Sequence, residues 1–140
     1  TQCPTGAFLS VEGSPFDFRE MKKIGDGIHC DNAQLKLGGT YDHNFVINGD
    51  GLREAAVLQS KESGIRMTCF TDQPGVQLYV PCYTLHQKGI DGKDYPPYSA
   101  VCLETQHYPN AINIEHFPSV VLKAGENFRS KTLYHFSVMG

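Results

Sequence analysis

The stretch Cys102-Leu-Glu-Thr-Gln-His-Tyr-Pro-Asn-Ala-Ile-Asn113 sets a carboxylate into an apolar strand that runs straight into a proline-broken loop. Alternation places Cys102, Glu104 and Gln106 on one side of this strand, with Val101, Leu103 and Thr105 on the other. A carboxylate pointing into a strand-built cavity is costly to bury unless paired or hydrogen-bonded, and burial raises its pKa toward the range useful for proton transfer. Glu104 is therefore the first candidate for a general base. A strand glutamate more often faces water on the polar side of a half-exposed sheet, so spacing alone leaves both readings open.

The same period of two recurs outward from this segment. Ile65, Met67 and Cys69 alternate with Arg66, Thr68 and Phe70; Val76, Leu78 and Val80 alternate with Gln77 and Tyr79. Residues 133–138 read as another strand, with Tyr134, Phe136 and Val138 expected to face the core. Fourteen glycines and eight prolines break these runs at short intervals, so the fold class is all-β, a sandwich or barrel. One short helix is predicted over residues 17–24, where Asp17 can cap, Glu20 can complete a capping box and Gly25 can end it. Residues 87–98, with Gly89, Gly92, Pro96 and Pro97, read as a long surface loop, and residues 107–119 as an ordered irregular excursion beside the site.

At 140 residues the chain has the size of one domain, and a single domain over residues 1–140 is expected. A net charge of −3 gives no reason to expect nucleic acid or an anionic membrane surface as a partner. No apolar run is long enough to cross a bilayer, so a soluble chain is expected. The five cysteines are odd in number, widely spaced and without a C-x-x-C pair, which points to reduced thiols in the cytoplasm and against a structural zinc site.

The stretch from Ala100 to Pro118 resembles the C-terminal signature of the aldose 1-epimerases, the galactose mutarotases. Tyr41-Asp-His-Asn-Phe45 and Gln73-Pro-Gly-Val-Gln-Leu-Tyr79 agree in order and spacing, as do Pro4-Thr-Gly6, Pro15-Phe-Asp-Phe-Arg19 and Ala124-Gly-Glu126. The resemblance implies a β-sandwich of the galactose mutarotase type, of which this chain is the C-terminal part. It also implies a strand over residues 52–59, whose local propensity is helical but whose preceding Gly49-Asp-Gly51 suits a hairpin turn.

The activity implied is interconversion of the α and β anomers of aldoses such as galactose or glucose. One base and one acid suffice for this chemistry, so no cofactor and no metal are expected. Glu104 would be the base, and Asp42 and Gln77 would bind the hydroxyls of the monosaccharide substrate. Without the resemblance, Asp42 reads as a turn-stabilising aspartate after Gly38-Gly39 and Gln77 as a solvent-facing amide. His43, next to Asp42, points to the other side of an extended segment and stays outside the catalytic set. Tyr41 and Tyr79 are candidates to pack a sugar's apolar face, although most aromatic residues of an all-β chain build core.

The sequence departs from the family in two ways. Family members are considerably longer, and their proton-donating histidines precede the Pro-Thr-Gly block; none of the six histidines here occupies those motifs. Val80-Pro81-Cys82 replaces the family's usual threonine-glycine-asparagine, and Pro81 should end the strand or place it on an edge. The chain reads as a C-terminal fragment, as one half working with a separate N-terminal half, or as a relative without catalysis. The rival function is a non-catalytic carbohydrate-binding or sugar-sensing protein.

Overall fold

In the computed structural model, which describes residues 3–83 and 85–140, the alternating segments become strands. In chain order these are β1 (Asp42–Val46), β2 (Arg53–Gln59), β3 (Ile65–Thr71), β4 (Gly75–Tyr79), β5 (Leu85–Lys88), β6 (Asp94–Tyr95), β7 (Cys102–Gln106) and β8 (Thr132–Val138). Among the described residues two short helices, α1 (Gly25–Ile28) and α2 (Ala33–Gly38), precede them, and one 3₁₀ turn covers Ala111–Asn113. The strands form sheets in the orders β1-β4-β7, β2-β3-β8 and β5-β6. The all-β class holds, and residues 53–59 form a strand despite their helical propensity.

Several sequence expectations are corrected. No helix forms over residues 17–24; the helical turn begins at Gly25, where the sequence suggested an end. The Asp17 carboxylate is taken by Arg19, whose Nε and Nη2 donate to it at 2.8 and 2.7 Å, and whose guanidinium holds the carboxyl down at about 2. Phe16 and Phe18 both set their rings edge-on to Tyr41, at 5.5 and 5.3 Å, an i, i+2 pairing that extended backbone allows and a helix does not. The expected loop over residues 87–98 overlaps the β5-β6 hairpin, closed by Gly89 N–H donating to Lys93 O at 2.7 Å and by the Lys88–Asp94 ion pair.

The chain divides into two compact units, residues 1–43 with 78–102 and residues 44–77 with 103–140. The first is organised around Tyr41, fully buried, whose hydroxyl donates to Pro15 O at 2.9 Å. Gly27 in α1 lies so close to the Tyr41 hydroxyl that a Cβ there would overlap it, so this turn of helix tolerates only glycine. In the same unit, Val80 N–H donates to Tyr41 O at 2.9 Å; β4 ends at Tyr79, as Pro81 foretold.

The second unit is a piece of a two-sheet sandwich. Along β3 and β8 the antiparallel register pairs Thr71 with Thr132, Cys69 with Tyr134, Met67 with Phe136 and Ile65 with Val138. At the first of these pairs the sheet packs on β7: the Thr132 hydroxyl lies 2.6 Å from that of Thr105, and the Tyr134 hydroxyl donates to Leu103 O at 2.8 Å. Tyr134, Phe136 and Val138 do line the side of β8 that meets β7, but all three remain exposed, against the expectation that they are core.

The β1–β2 and β3–β4 connections are held together by one side chain. Arg53 donates to five backbone carbonyls, Ile47, Asn48, Gly51, Thr71 and Gln73, at 2.9 to 3.1 Å. Methionine has similar volume and no donor, so Arg53→Met should lower the unfolding free energy by about 2–3 kcal/mol. Urea unfolding is the measurement, and an unchanged midpoint would show that water satisfies these carbonyls equally well.

Candidate active site

Three contacts within the second unit fix which side chains share a face. Thr105 points from β7 toward β8, so alternation turns Cys102, Glu104 and Gln106 to the outer side of the sheet. On that side Gln106 Nε2 donates to Asn44 Oδ1 of β1 at 3.5 Å. A Cβ on Gly75 of β4 would meet the Asn44 amide at 2.7 and 2.8 Å and the Tyr108 ring at 3.0 Å, so the side-chain direction of Gly75 is that same side. Period two then brings Gln77 onto it, while Val76 and Leu78 are buried on the other. Gln77 and Glu104 thus share one face of two neighbouring strands, with Asn44 and Gln106 beside them.

Glu104 is exposed, so the described residues of this chain do not close the cavity that the sequence suggested around it. The reason is architectural: Thr105 turns toward β8, so Glu104 is directed to the outer side of its sheet, where its side chain stays exposed. Asp42 opens β1 in the first unit. Its backbone N–H donates to His43 Nδ1 at 3.0 Å, which makes that nitrogen an acceptor and places the imidazole proton on Nε2. His43 packs edge-on against Phe16 at 4.6 Å; desolvation pulls its pKa below the ordinary value, opposed by the Asp42 charge. Along β1 itself, Asp42 lies on the side that carries Asn44. Tyr41 is core and offers no sugar platform. Tyr79, two residues from Gln77 on β4, has its phenol pushed up to about 12, chiefly by a hydrogen bond with Tyr83.

The second unit also holds a cleft of about 550 Å³, lined by residues including Arg53, Asp72, Gln73, His107, Tyr108 and Phe128. A chain of hydrogen bonds runs along its wall. His107 Nδ1 lies 2.8 Å from Gln73 Oε1, Gln73 Nε2 donates to Ser130 Oγ at 2.6 Å, and Ser130 Oγ donates to Asp72 Oδ1 at 3.1 Å. Both Asp72 oxygens also accept from Lys131 N–H at 3.0 Å, and these bonds hold the Asp72 carboxyl below the usual range. This cleft contains neither Gln77 nor Glu104. Asn44, Gly75, Gln106 and Tyr108 were not singled out as site residues from sequence; the available signal was the spacing of two that relates Asn44 to Asp42, Gly75 to Gln77 and Gln106 to Glu104, with Tyr108 two further on. Among the described residues no group of three or more His, Cys, Asp or Glu is placed to hold a metal ion.

These features define a β-sandwich protein with a carboxylate and carboxamides gathered on an outer sheet face. The chain belongs to the aldose 1-epimerase family, whose model matches residues 1–135. It is 40% identical over 139 residues to the galactose mutarotase of Bos taurus, covering 96% of this chain and 39% of that protein. To the aldose 1-epimerase of Escherichia coli it is 30% identical over 137 residues, covering 95% of this chain and 39% of that one. Among solved structures it matches an aldose epimerase homologue from C. elegans with a TM-score of 0.84 at 31% identity, over 99% of this chain and 41% of that chain. A galactose 1-epimerase from Lactobacillus acidophilus gives 0.82 at 29% identity, over 99% and 40%. The chain therefore spans about two fifths of the length of these relatives, and it corresponds to their C-terminal part.

Two measurements check the geometry. Gly75→Ala must push aside the Asn44 amide and the Tyr108 ring, so a stability loss of about 1–3 kcal/mol is expected, together with shifted Tyr108 ring resonances. Unshifted resonances would mean the two side chains do not lie over Gly75. His43, with its pKa depressed, contributes stability that is complete above the ordinary value of 6.5 and is lost as pH falls from there toward the depressed value. The urea midpoint should therefore drop across that window in the parent, and the drop should be smaller in His43→Phe.

Proposed function

We propose that this chain carries the base-bearing part of an aldose 1-epimerase site, with Glu104 the general base and Asp42 and Gln77 the contacts to substrate hydroxyls. The observation that carries the reading is the common face of Gln77 and Glu104 on adjacent strands, in a chain that matches the family from residue 1 to residue 135. Glu104 takes the proton from the anomeric hydroxyl while an acid protonates the ring oxygen. The C1–O5 bond then breaks, the new carbonyl turns about C1–C2, and closure on the other face returns the proton from Glu104. The amide of Gln77 donates and accepts at once and the carboxylate of Asp42 accepts, which suits vicinal hydroxyls.

The acid is assigned to histidines of an N-terminal portion corresponding to the remainder of the relatives, joined to this chain or separate from it. The whole, residues 1–140 included, would then be a single mutarotase sandwich acting on galactose or glucose. A cytoplasmic setting is supported by Cys3, Cys30, Cys69 and Cys82 being free thiols. The exposure of Glu104 favours one alternative for this chain by itself, a sugar-binding or sugar-sensing role without turnover.

Polarimetry of freshly dissolved α-D-galactose separates the two. The 140-residue chain alone should not accelerate mutarotation over buffer, and the chain combined with the N-terminal portion of the bovine galactose mutarotase should. Glu104→Gln in that mixture should lower the rate by about 10²–10⁴-fold with sugar binding retained. A mixture no faster than buffer, or one indifferent to Glu104→Gln, overturns the enzymatic reading.

A further inference from the structure

Of the six asparagines only Asn48 is followed by glycine, in the turn Asn48-Gly-Asp-Gly51 that leads from β1 to β2. An asparagine carboxamide stands one five-membered ring away from the amide nitrogen of the next residue, and closure of that ring is favoured by proximity. What holds it back is the nitrogen itself, whose lone pair is drawn into the peptide bond until its proton leaves. The anion then carries much of its charge on the oxygen of the same peptide group. For the peptide between residues 48 and 49 that oxygen is Asn48 O, and it accepts from Arg53 Nε at 3.0 Å. The Arg53 side chain runs alongside Gly49, where a Cβ would lie 3.7 Å from Arg53 Cδ and 3.9 Å from Nε. The other four guanidinium N–H groups are held by the carbonyls of Ile47, Gly51, Thr71 and Gln73, so the cation is in place before any charge develops. Gly49 sits at a φ of 80°, and its missing side chain leaves the approach to its nitrogen clear. The Asn48 carboxamide is exposed and takes no hydrogen bond among the described residues.

We infer that Asn48 is a self-modification site, at which the Arg53 guanidinium promotes deamidation through a cyclic imide. Gly49 N–H gives its proton to solvent, and the nitrogen forms a bond to Asn48 Cγ. The bond from Cγ to the carboxamide nitrogen breaks, and that nitrogen leaves as ammonia with a proton taken back from solvent. Water then opens the imide. Addition at Cγ breaks the new bond and leaves aspartate; addition at the main-chain carbonyl breaks the original peptide bond and leaves isoaspartate, with the chain rerouted through the side chain. In the isoaspartyl product the oxygen that accepted from Arg53 belongs to a free carboxylate, so the cation that stabilised the anion faces a full negative charge. Asp50-Gly51, next in the turn, lacks this arrangement, because Arg53 Nη1 donates to Gly51 O, the oxygen of the following peptide group. Activation is distinguishable from rigidity, since a clamp that only stiffened the turn would slow ring closure.

The test incubates the folded 140-residue chain beside a synthetic peptide of residues 44–56 at mildly alkaline pH. Peptide mapping by mass spectrometry follows conversion at residue 48, with isoaspartate and aspartate separated by chromatography. Residue 48 should be converted at least about fivefold faster in the folded chain than in the peptide, where Arg53 is not held against Asn48 O. Arg53→Met should slow conversion in the folded chain by about the same factor. Rigidity alone gives the reverse of both results, slower conversion in the folded chain and faster conversion in Arg53→Met, and either reversal overturns the proposal. Equal rates in chain and peptide overturn it as well. Circular dichroism checks that Arg53→Met is folded; where it is not, the parent chain against the peptide decides alone. In Asn48→Ser the isoaspartate must disappear, and its persistence assigns the reaction to another residue and overturns the assignment to Asn48.

Discussion

The guanidinium of Arg53 is the constraint on which the second unit depends. Its five N–H groups are all spent on backbone carbonyls, two at the end of β1 and the start of the next turn, one at Gly51 and two flanking the β3–β4 connection. Four of those carbonyls lie outside the strands, and the fifth, that of Thr71, closes β3. A lysine has three donors on a point charge and cannot serve five acceptors. Holding Gln73 and Thr71 in place sets where β4 starts, and the start of β4 sets where Gly75 lies against Asn44 and which side Gln77 faces. The neighbouring Asp72 then ties the beginning of β8 to the same turn through Lys131 and Ser130. The candidate site is therefore positioned from a cation that does not belong to it.

Much of the fold was legible because a half-buried strand writes its pattern locally. Val76, Gln77 and Leu78 alternate in sequence as they alternate in burial. Residues 52–59 show the limit of local propensity, since pairing with β3 overrides the helical preference of Leu52-Arg-Glu-Ala-Ala. The helix over residues 17–24 failed for a related reason. A capping aspartate and a glutamate three residues on are a fair signal, but Arg19 supplied a nearer partner for Asp17, and Tyr41, distant in sequence, drew Phe16 and Phe18 to one side of an extended chain. The β5-β6 hairpin carries no apolar alternation, and its turn glycines look the same in a loop.

The candidate site divides along the same line. That Glu104 and Gln106 share a side, and that Gln77 opposes Val76, follows from the period of two alone. That Asn44 reaches Gln106, or that Gly75 must lack a side chain, depends on which strands lie together and in what register, and one strand's residues do not encode it. Tyr134, Phe136 and Val138 make the point from the other direction. Their alternation identified the correct side of β8, yet whether that side is buried is decided by elements that are not next to it in the chain.

Glu104 and the face of β8 then pose one physical problem. A strand carboxylate becomes a strong base only when water is removed from around it, and an apolar sheet face becomes core only when another layer covers it. In this chain Glu104 and the Phe136–Val138 end of the sandwich are both exposed. On the proposed reading the remainder of the relatives' length meets both needs from two sides, over the outer side of β7 for Glu104 and against the inner side of β8 for the apolar residues. Folding of the sandwich and completion of the site are then a single event, and the acid arrives with the strands that exclude the water. A separate sugar-binding function for the exposed face would leave the apolar side of β8 unexplained, whereas completion of the sandwich accounts for the apolar side and the lone base at once.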